Sequence, residues 1–327
     1  MREPENITTT GEQPVRIAIY GTGGVGGYFG GRLAKAGNEV WFIARGEHLA
    51  AMKAGGLHVE SVRGDFVVDP VNATDNPAEI GAVDLVLLAL KTWQIPPLAP
   101  EIKRLLGPGT VVMTLQNGVD APRRLGELIG PERVLPGLVR IISQVDGPGR
   151  IRDSGGPAQI IFGESDNRPS KRVERAQQTL ADAGIDAVVP EDIHVALWEK
   201  FLFVVAMGGV GAITRAPIGI IRSLRETRSL LEEDMREIRD VGYGCGVRMP
   251  AEVVASSMAL VDGLPEGATT SMHRDLISGR RSELEEWCGS VVRLGEESGV
   301  ATPINSFLYR SLLPLELRAL GEIAFEG

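Results

Sequence analysis

The sequence predicts an α/β fold, with a doubly wound parallel sheet in the N-terminal half and a second, all-helical C-terminal domain. Up to Pro190, short β-rich runs alternate with helical patterns, as in sheets covered by helices on both faces. After Pro190, long helical periodicities replace the strands. The first strand ends in a glycine-rich turn that opens a helix, which is typical of a Rossmann-type domain. We therefore expect a flexible tail at 1–14, a dinucleotide-binding domain at 15–190 and a helical substrate and catalytic domain at 191–327.

Composition excludes several classes of protein. The chain has 327 residues, of which 43% are hydrophobic and 24% charged, so a well-packed core is expected. A net charge of −9 disfavours nucleic acid and anionic membranes as partners. Two cysteines and four histidines are too few for a disulfide framework or a Cys/His metal cage, so no metal is expected. The N-terminal stretch lacks the apolar core of a secretory signal, which indicates a cytoplasmic protein.

The N-terminal half contains a regular series of strand signals. Strands are predicted at 16–20, 39–44, 84–90, 110–115, 134–139, 159–163 and 186–189, with helices at 28–35 and 172–183. The run DLVLLAL at 84–90 is continuously apolar, as expected for a strand buried on both faces of a parallel sheet. Two β-rich runs at 57–62 and 66–68 flank Arg63, Gly64 and Asp65, which predicts a hairpin.

Four helices are predicted after the boundary, at 192–207, 230–245, 281–298 and about 307–320. Each carries apolar residues at helical spacing on one face. In the third helix, Arg280, Glu283 and Trp287 are predicted to share one stripe by their i, i+3 and i+4 spacing. The apolar faces are compatible with a homodimer, although core packing explains them equally well.

A dinucleotide-binding turn is predicted directly after the first strand. The motif G-x-G-x-x-G is formed by Gly21, Thr22, Gly23, Gly24, Val25 and Gly26. The first glycine permits the tight turn, the second lets a pyrophosphate approach the main chain, and the third lets helix and strand pack closely. The N-terminus of the helix then offers N–H groups and the positive end of its dipole to the phosphates.

The end of the second strand predicts which dinucleotide is bound. NAD sites usually carry an acidic residue there, which bonds the ribose 2′-hydroxyl. This sequence has Arg45 instead, whose guanidinium suits a 2′-phosphate and favours NADP(H). The plain alternative is a solvated arginine on a loop, and His48 is a weaker candidate for the same role.

Together, the motifs resemble those of the ketopantoate reductase (2-dehydropantoate 2-reductase) family. They are GTGGVGGYFGGRLAKAG, FIARGEHL, LALKTWQ, LQNGVD, LWEKFLF and SMHRDLISGRRSELE, in that order, from residue 16 to near the C-terminus. The resemblance implies NADPH-dependent reduction of a 2-oxo acid in a cleft between the two domains, most directly ketopantoate to pantoate in pantothenate biosynthesis. It also implies roles for individual residues: Lys91 and Asn117 line the cofactor cleft, Lys200 is the catalytic lysine, and Ser271 and Glu283 hold substrate, together with Asn117.

The residues themselves agree in part with these roles. Lys91 and Asn117 follow two buried strands, where open α/β sheets bind ligands. Lys200 lies on an apolar helix, and a partly buried ammonium can donate a proton to a carbonyl oxygen that gains negative charge. Glu283 can orient that lysine or accept a bond from substrate. Each residue also has a plainer interpretation. Lys91 and Lys200 would be solvated lysines, and Asn117 would belong to an Asn-Gly turn. Glu283 would be a helix-terminal carboxylate beside the solvated Glu285 and Glu286.

The sequence departs from the family on the helix that follows the catalytic lysine. Where the family carries substrate-binding asparagines four and eight residues on, this chain has Val204 and Gly208. Gly208, Gly209 and Gly211 either open space for a larger or less polar substrate or allow close helix packing. Arg215 is a candidate replacement anchor for a carboxylate. Two alternatives therefore stay open: a reductase of another ketone, oxo acid or imine, and a protein that senses NADP(H) without turnover.

Overall fold

The structure is a computed structural model that describes residues 14–325, so residues 1–13 of the expected tail lie outside the described residues. The strands are β1 (Arg16–Tyr20), β2 (Glu39–Ile43), β3 (Leu57–Ser61), β4 (Phe66–Val68), β5 (Asn72–Thr74), β6 (Val83–Leu88), β7 (Leu106–Thr114), β8 (Val134–Leu135), β9 (Gly137–Val145), β10 (Arg150–Phe162) and β11 (Asp186–Val188). The helices are α1 (Gly24–Lys35), α2 (Gly46–Gly55), α3 (Ile95–Lys103), α4 (Ala121–Ile129), α5 (Lys171–Asp182), α6 (Ile193–Thr214), α7 (Ile218–Ser223), α8 (Arg225–Gly244), α9 (Val253–Gly263), α10 (Ser271–Ile277), α11 (Ser290–Ser298) and α12 (Pro303–Ala319).

A six-stranded parallel sheet forms the centre of the first domain, in the order β5-β2-β1-β6-β7-β8. The chain leaves β1 toward β2 on one side and returns to β6 on the other. The strand order therefore reverses between β1 and β6, and open α/β sheets bind ligands at the carboxyl edge of such a switch point. The predicted α/β class, with a Rossmann-type sheet followed by a helical domain, is confirmed.

A second sheet lies beside the first one. Its order is β11-β10-β3-β4, and β9 pairs antiparallel with β10. The predicted hairpin over residues 57–68 is present as β3 and β4. The strand predicted at 134–139 is divided between β8 of the first sheet and the start of β9. The strand predicted at 159–163 is the end of the much longer β10, which forms a hairpin with β9. The length of β10 could not be predicted from the sequence, because the strand contains polar residues and its register is irregular around Gly155.

Helix α1 packs between the two sheets, and this accounts for its glycines. Gly30 approaches Ile19 and Phe42 of the first sheet, whereas Gly27 approaches Ile151 and Gly31 approaches Phe66 of the second. A Cβ at these positions would lie within 3.0 Å of those side chains. The helix begins at Gly24, four residues before the predicted start. The first turn escapes prediction because its glycines and valine have low intrinsic helix propensity.

The second domain is built around α6, which packs against α8, α10 and α12. By length and composition α6 could cross a membrane, but 72% of its most apolar window is buried within the protein, as in a core helix. We keep the proposed domain boundary near Pro190, between β11 and α6. The helix predicted at 281–298 begins later, as a π-helical segment at Glu285–Gly289 that continues into α11, so Arg280 does not share a helical stripe with Glu283.

Candidate active site

The turn after β1 has the geometry that a bound pyrophosphate requires. Gly21 has φ +101°, and a Cβ there would lie 2.9 Å from the carbonyl oxygen of Ala89. Gly26 packs against the carbonyl oxygen of Gly21, whereas nothing lies within 4 Å of the Cβ position of Gly23. The first N–H groups of α1 have no partner within the helix. The residues present therefore fit the phosphates of a dinucleotide at Gly23.

Two residues of the motif also have structural contacts. Thr22 is buried, and its hydroxyl donates to the carbonyl oxygen of Ile43 at 3.1 Å, which ties the turn to β2. Its main-chain N–H donates to the same oxygen at 3.2 Å, so both hydrogen-bond donors of Thr22 are used within the protein. At Gly24, a Cβ would lie 2.5 Å from the carbonyl oxygen of Ser143, so the turn packs directly against β9.

Arg45 follows β2 at the same edge of the sheet. Its guanidinium lies 3.6 Å from the carboxylate of Glu101, which also accepts a 2.6 Å hydrogen bond from the hydroxyl of Tyr20. The side chain of Arg45 is 61% exposed, and such exposed pairs contribute little stability, so it can turn to another anion. His48 is less available, because its Nδ1 accepts from the N–H of Gly149 and burial lowers the pKa of the ring.

An ion pair between Lys91 and Glu283 joins the two domains, as does one between Asp120 and Arg293. Nζ of Lys91 lies 2.6 Å from Oε2 of Glu283 and 3.6 Å from Oδ2 of Asp275. The Glu283 side chain is only 3% exposed, and burial raises the pKa of its carboxyl while Lys91 opposes that shift. Asp275 was not predicted from the sequence, and its place in the segment SMHRDLI was the only available signal.

Lys200 lies about two turns into α6, where its half-buried side chain is near the charges of Glu283 and Arg140. Within residues 14–325 its ammonium makes no side-chain hydrogen bond or ion pair. Burial lowers the pKa of this ammonium to about 8, an effect opposed by Glu283 and reinforced by Arg140. Glu283 therefore interacts with both lysines, and the structure brings Lys91, Lys200 and Glu283 together from sites that are far apart in sequence.

The two polar residues predicted to bind substrate, Asn117 and Ser271, are not held by side-chain hydrogen bonds among the described residues. Asn117 follows β7 and is partly exposed, and Gly118 after it turns the chain with φ +118° beside the main chain of Glu286. Ser271 begins α10 and is half-buried, while the neighbouring Thr270 caps that helix. Among the described residues, neither Asn117 nor Ser271 uses its side chain in a hydrogen bond, so both are available to a ligand.

Neighbouring side chains occupy the space beside the glycines that follow Lys200. A Cβ at Gly208 would lie 2.8 Å from the ring of Trp287, and one at Gly211 would lie 2.8 Å from the ring of His273. The expectation that these glycines open space for a larger substrate is therefore wrong, and close helix packing is correct. Val204, one turn beyond Lys200, is half-buried and contributes an apolar surface at that point.

Two further expectations change. Arg215 is exposed at the C-terminal end of α6, about 22 Å along the helix axis from Lys200, so it cannot anchor a substrate held at that lysine. Glu286 is buried rather than solvated, and burial raises the pKa of its carboxyl to about 7.

A parallel sheet with a glycine turn after β1, and a lysine at the facing edge of a helical domain, defines a dinucleotide-dependent oxidoreductase of two domains.

Comparisons with known proteins give the family. The chain matches Ketopantoate reductase PanE/ApbA over residues 17–167 and Ketopantoate reductase PanE/ApbA C terminal over residues 192–316. A 2-dehydropantoate 2-reductase of Mesorhizobium japonicum is 32% identical over 88% of this chain and 94% of that relative. The crystal structure of a PanE/ApbA family ketopantoate reductase from Ralstonia eutropha is similar with a TM-score of 0.86 and 30% identity, covering 93% of this chain and 99% of that one.

A second similar structure is D-mandelate dehydrogenase in a ternary complex with NADH and anilino(oxo)acetate. It has a TM-score of 0.84 and covers 92% of this chain and 98% of that one, but at 24% identity it shares the fold alone. The chain belongs to the ketopantoate reductase family, and thus to the nicotinamide-dependent oxidoreductases that act on a carbonyl or secondary alcohol group.

Proposed function

We propose that this protein reduces a 2-oxo acid to the 2-hydroxy acid with NADPH, with Lys200 as general acid and ketopantoate as the first candidate substrate. The observation that carries the proposal is the Lys200 ammonium, which lies in the cleft with no side-chain partner among the described residues and a pKa of about 8. A proton donor works best when its pKa is near the working pH.

The cofactor would be held at the carboxyl edge of the parallel sheet. The main chain from Gly21 to Gly26 would hold the pyrophosphate, and Arg45 would pair with the 2′-phosphate that distinguishes NADP from NAD. Lys91 and Asn117 follow β6 and β7 and would line the nicotinamide half of the cleft. When bound, the reduced nicotinamide supplies the hydride that adds to the carbonyl carbon of the substrate.

Lys200 acts on the oxygen of that carbonyl. As hydride adds to the carbon, the C=O π electrons move to oxygen, and the ammonium stabilises the charge and donates one proton. The hydroxyl of the product forms, and the neutral amine regains its proton from water. Glu283, held by Lys91 at 2.6 Å, keeps a carboxylate near the ammonium and can accept a bond from a substrate hydroxyl. Ser271 and Asn117 are the further substrate contacts.

A second candidate keeps this chemistry and changes the substrate. Val204 lies one turn beyond Lys200 on α6, and its side chain cannot bond the hydroxyl of ketopantoate. This favours an oxo acid or ketone whose carbon chain is apolar next to the reacting carbonyl. Cytoplasmic location and a homodimer stay predictions from the sequence.

Initial rates of NADPH oxidation with ketopantoate, with 2-oxo acids that lack a hydroxyl and with simple ketones test the proposal. We expect turnover of at least one 2-oxo acid and a loss of about 100-fold or more in Lys200→Gln, with unchanged NADPH affinity. Tight NADPH binding with no oxidation across the panel would contradict the enzyme and favour the sensing protein. Preference for a 2-oxo acid without a hydroxyl would select the second candidate.

A further inference from the structure

We propose that Arg140, on strand β9, binds the carboxylate of the substrate while Lys200 faces its carbonyl oxygen. The assignment rests on the proposed function and names the residue that selects for an acid over a neutral ketone. Arg140 follows directly after the predicted strand 134–139 and belongs to no motif, so no sequence pattern marks it.

The position of Arg140 follows from the alternation of side chains along β9. Leu138 packs against Ile193 and Leu197 at the start of α6, whereas Val139 belongs to the core cluster that contains residues of α1. Because neighbouring residues of a strand point to opposite faces, Arg140 shares the face of Leu138, toward α6. Farther along the same strand, the carbonyl of Ser143 packs against Gly24. Strand β9 therefore runs from α6 to the dinucleotide turn, and Arg140 lies between them.

The charge of Arg140 is free for a ligand. Its side chain is exposed and, within the described part of the chain, makes no ion pair or hydrogen bond. The guanidinium lies close enough to the ammonium of Lys200 to lower its pKa, and it opposes the rise that burial causes in the pKa of Glu199. The charged groups that face Lys200 are thus Arg140 from β9 and Glu283 from the segment before α11.

The two lysines of the site, Lys91 and Lys200, already have other roles. Lys91 holds Glu283 at 2.6 Å, and Lys200 is needed at the reacting oxygen. The planar guanidinium of Arg140 suits a carboxylate, which it can bind through two parallel hydrogen bonds. A 2-oxo acid carries its carboxylate on the carbon next to the carbonyl, so one ligand can reach Arg140 and Lys200 together. A bound carboxylate also offsets the positive charge of Arg140, which otherwise lowers the pKa of the Lys200 ammonium.

The test compares Arg140→Gln with Arg104→Gln. This matched control removes an exposed arginine after α3 that makes no ion pair or side-chain hydrogen bond among the described residues. We expect the KM for the preferred 2-oxo acid to rise by about 10-fold or more in Arg140→Gln, with part of the loss restored in Arg140→Lys. The KM for NADPH should not change. The neutral ester or lactone of the same oxo acid should be reduced equally by wild type and variant.

A pH profile adds a readout that a structural role would not move. Removal of the guanidinium should raise the pKa of Lys200, so the basic limb of kcat/KM should shift to higher pH in Arg140→Gln and not in Arg104→Gln. An unchanged KM for the oxo acid, an equal loss with the neutral ester, or a rise in the KM for NADPH instead would overturn the assignment. If wild type reduces no 2-oxo acid, the proposed function itself fails, which is a different result.

Discussion

The titration of Lys200 is the prediction that follows most directly from the site. Burial lowers the pKa of its ammonium from an ordinary value of 10.5 to about 8. At about pH 7 the group is then protonated in roughly 10 of 11 molecules, and at about pH 9 in only 1 of 11. Since reduction needs the proton, kcat/KM with the oxo acid should fall about tenfold for each pH unit above 8. A solvated lysine would hold the rate constant until about pH 10.

The assay is the initial rate of NADPH oxidation at saturating NADPH, measured from about pH 6 to pH 10. Oxidation of the 2-hydroxy acid with NADP should show the opposite dependence and rise through the same pKa, because the neutral amine must accept the proton. Lys200→Gln should lose about 10²- to 10⁴-fold in rate and lose the inflection near pH 8, whereas Lys103→Gln, on the exposed surface of α3, should change neither. A reduction rate that stays level past pH 9 in the wild type would refute the role of Lys200.

Three further predictions concern cofactor choice, packing and substrate. Arg45→Ala should lower NADPH affinity by about tenfold and leave NADH affinity unchanged in fluorescence titrations; equal affinities in the wild type would contradict the 2′-phosphate assignment. Gly208→Ala should lower the free energy of unfolding by about 1–3 kcal/mol in denaturant titrations, because its methyl group meets Trp287, whereas Gly263→Ala enters open space and should cost nothing; equal effects would contradict the packing. Val204→Asn should lower the KM for ketopantoate, and an unchanged KM would mean that the hydroxyl is bound elsewhere.

Much of the first domain could be predicted because its signals are local. The strands β1 and β2 and the turn between β1 and α1 follow from runs of apolar residues and from glycines at fixed spacing. The second sheet could not be predicted, because β10 mixes glycine, proline and charged residues and depends on pairing with three other strands. Pairing of this kind is a tertiary effect that a short window of sequence does not contain.

The site shows the same division between local and distant information. Lys91 and Glu283 were each predicted, but their ion pair joins residues 192 positions apart and raises no sequence signal. The glycines after Lys200 were interpreted in two ways, and only the neighbouring rings of Trp287 and His273 decide between them. Arg140 was missed because its importance lies in what surrounds it: the face of β9, the start of α6 and the absence of an ion-pair partner among the described residues.

The central claim is that this chain directs hydride to the carbonyl carbon of a 2-oxo acid and a proton from Lys200 to its oxygen. The most direct measurement is reduction with NADPH that carries two deuterium atoms at C4 of the nicotinamide, followed by mass spectrometry and NMR of the product. The account predicts one deuterium on C2 of the 2-hydroxy acid and none in the hydroxyl. Oxidation of NADPH that leaves no deuterium on C2, or no oxidation with any 2-oxo acid, would contradict it.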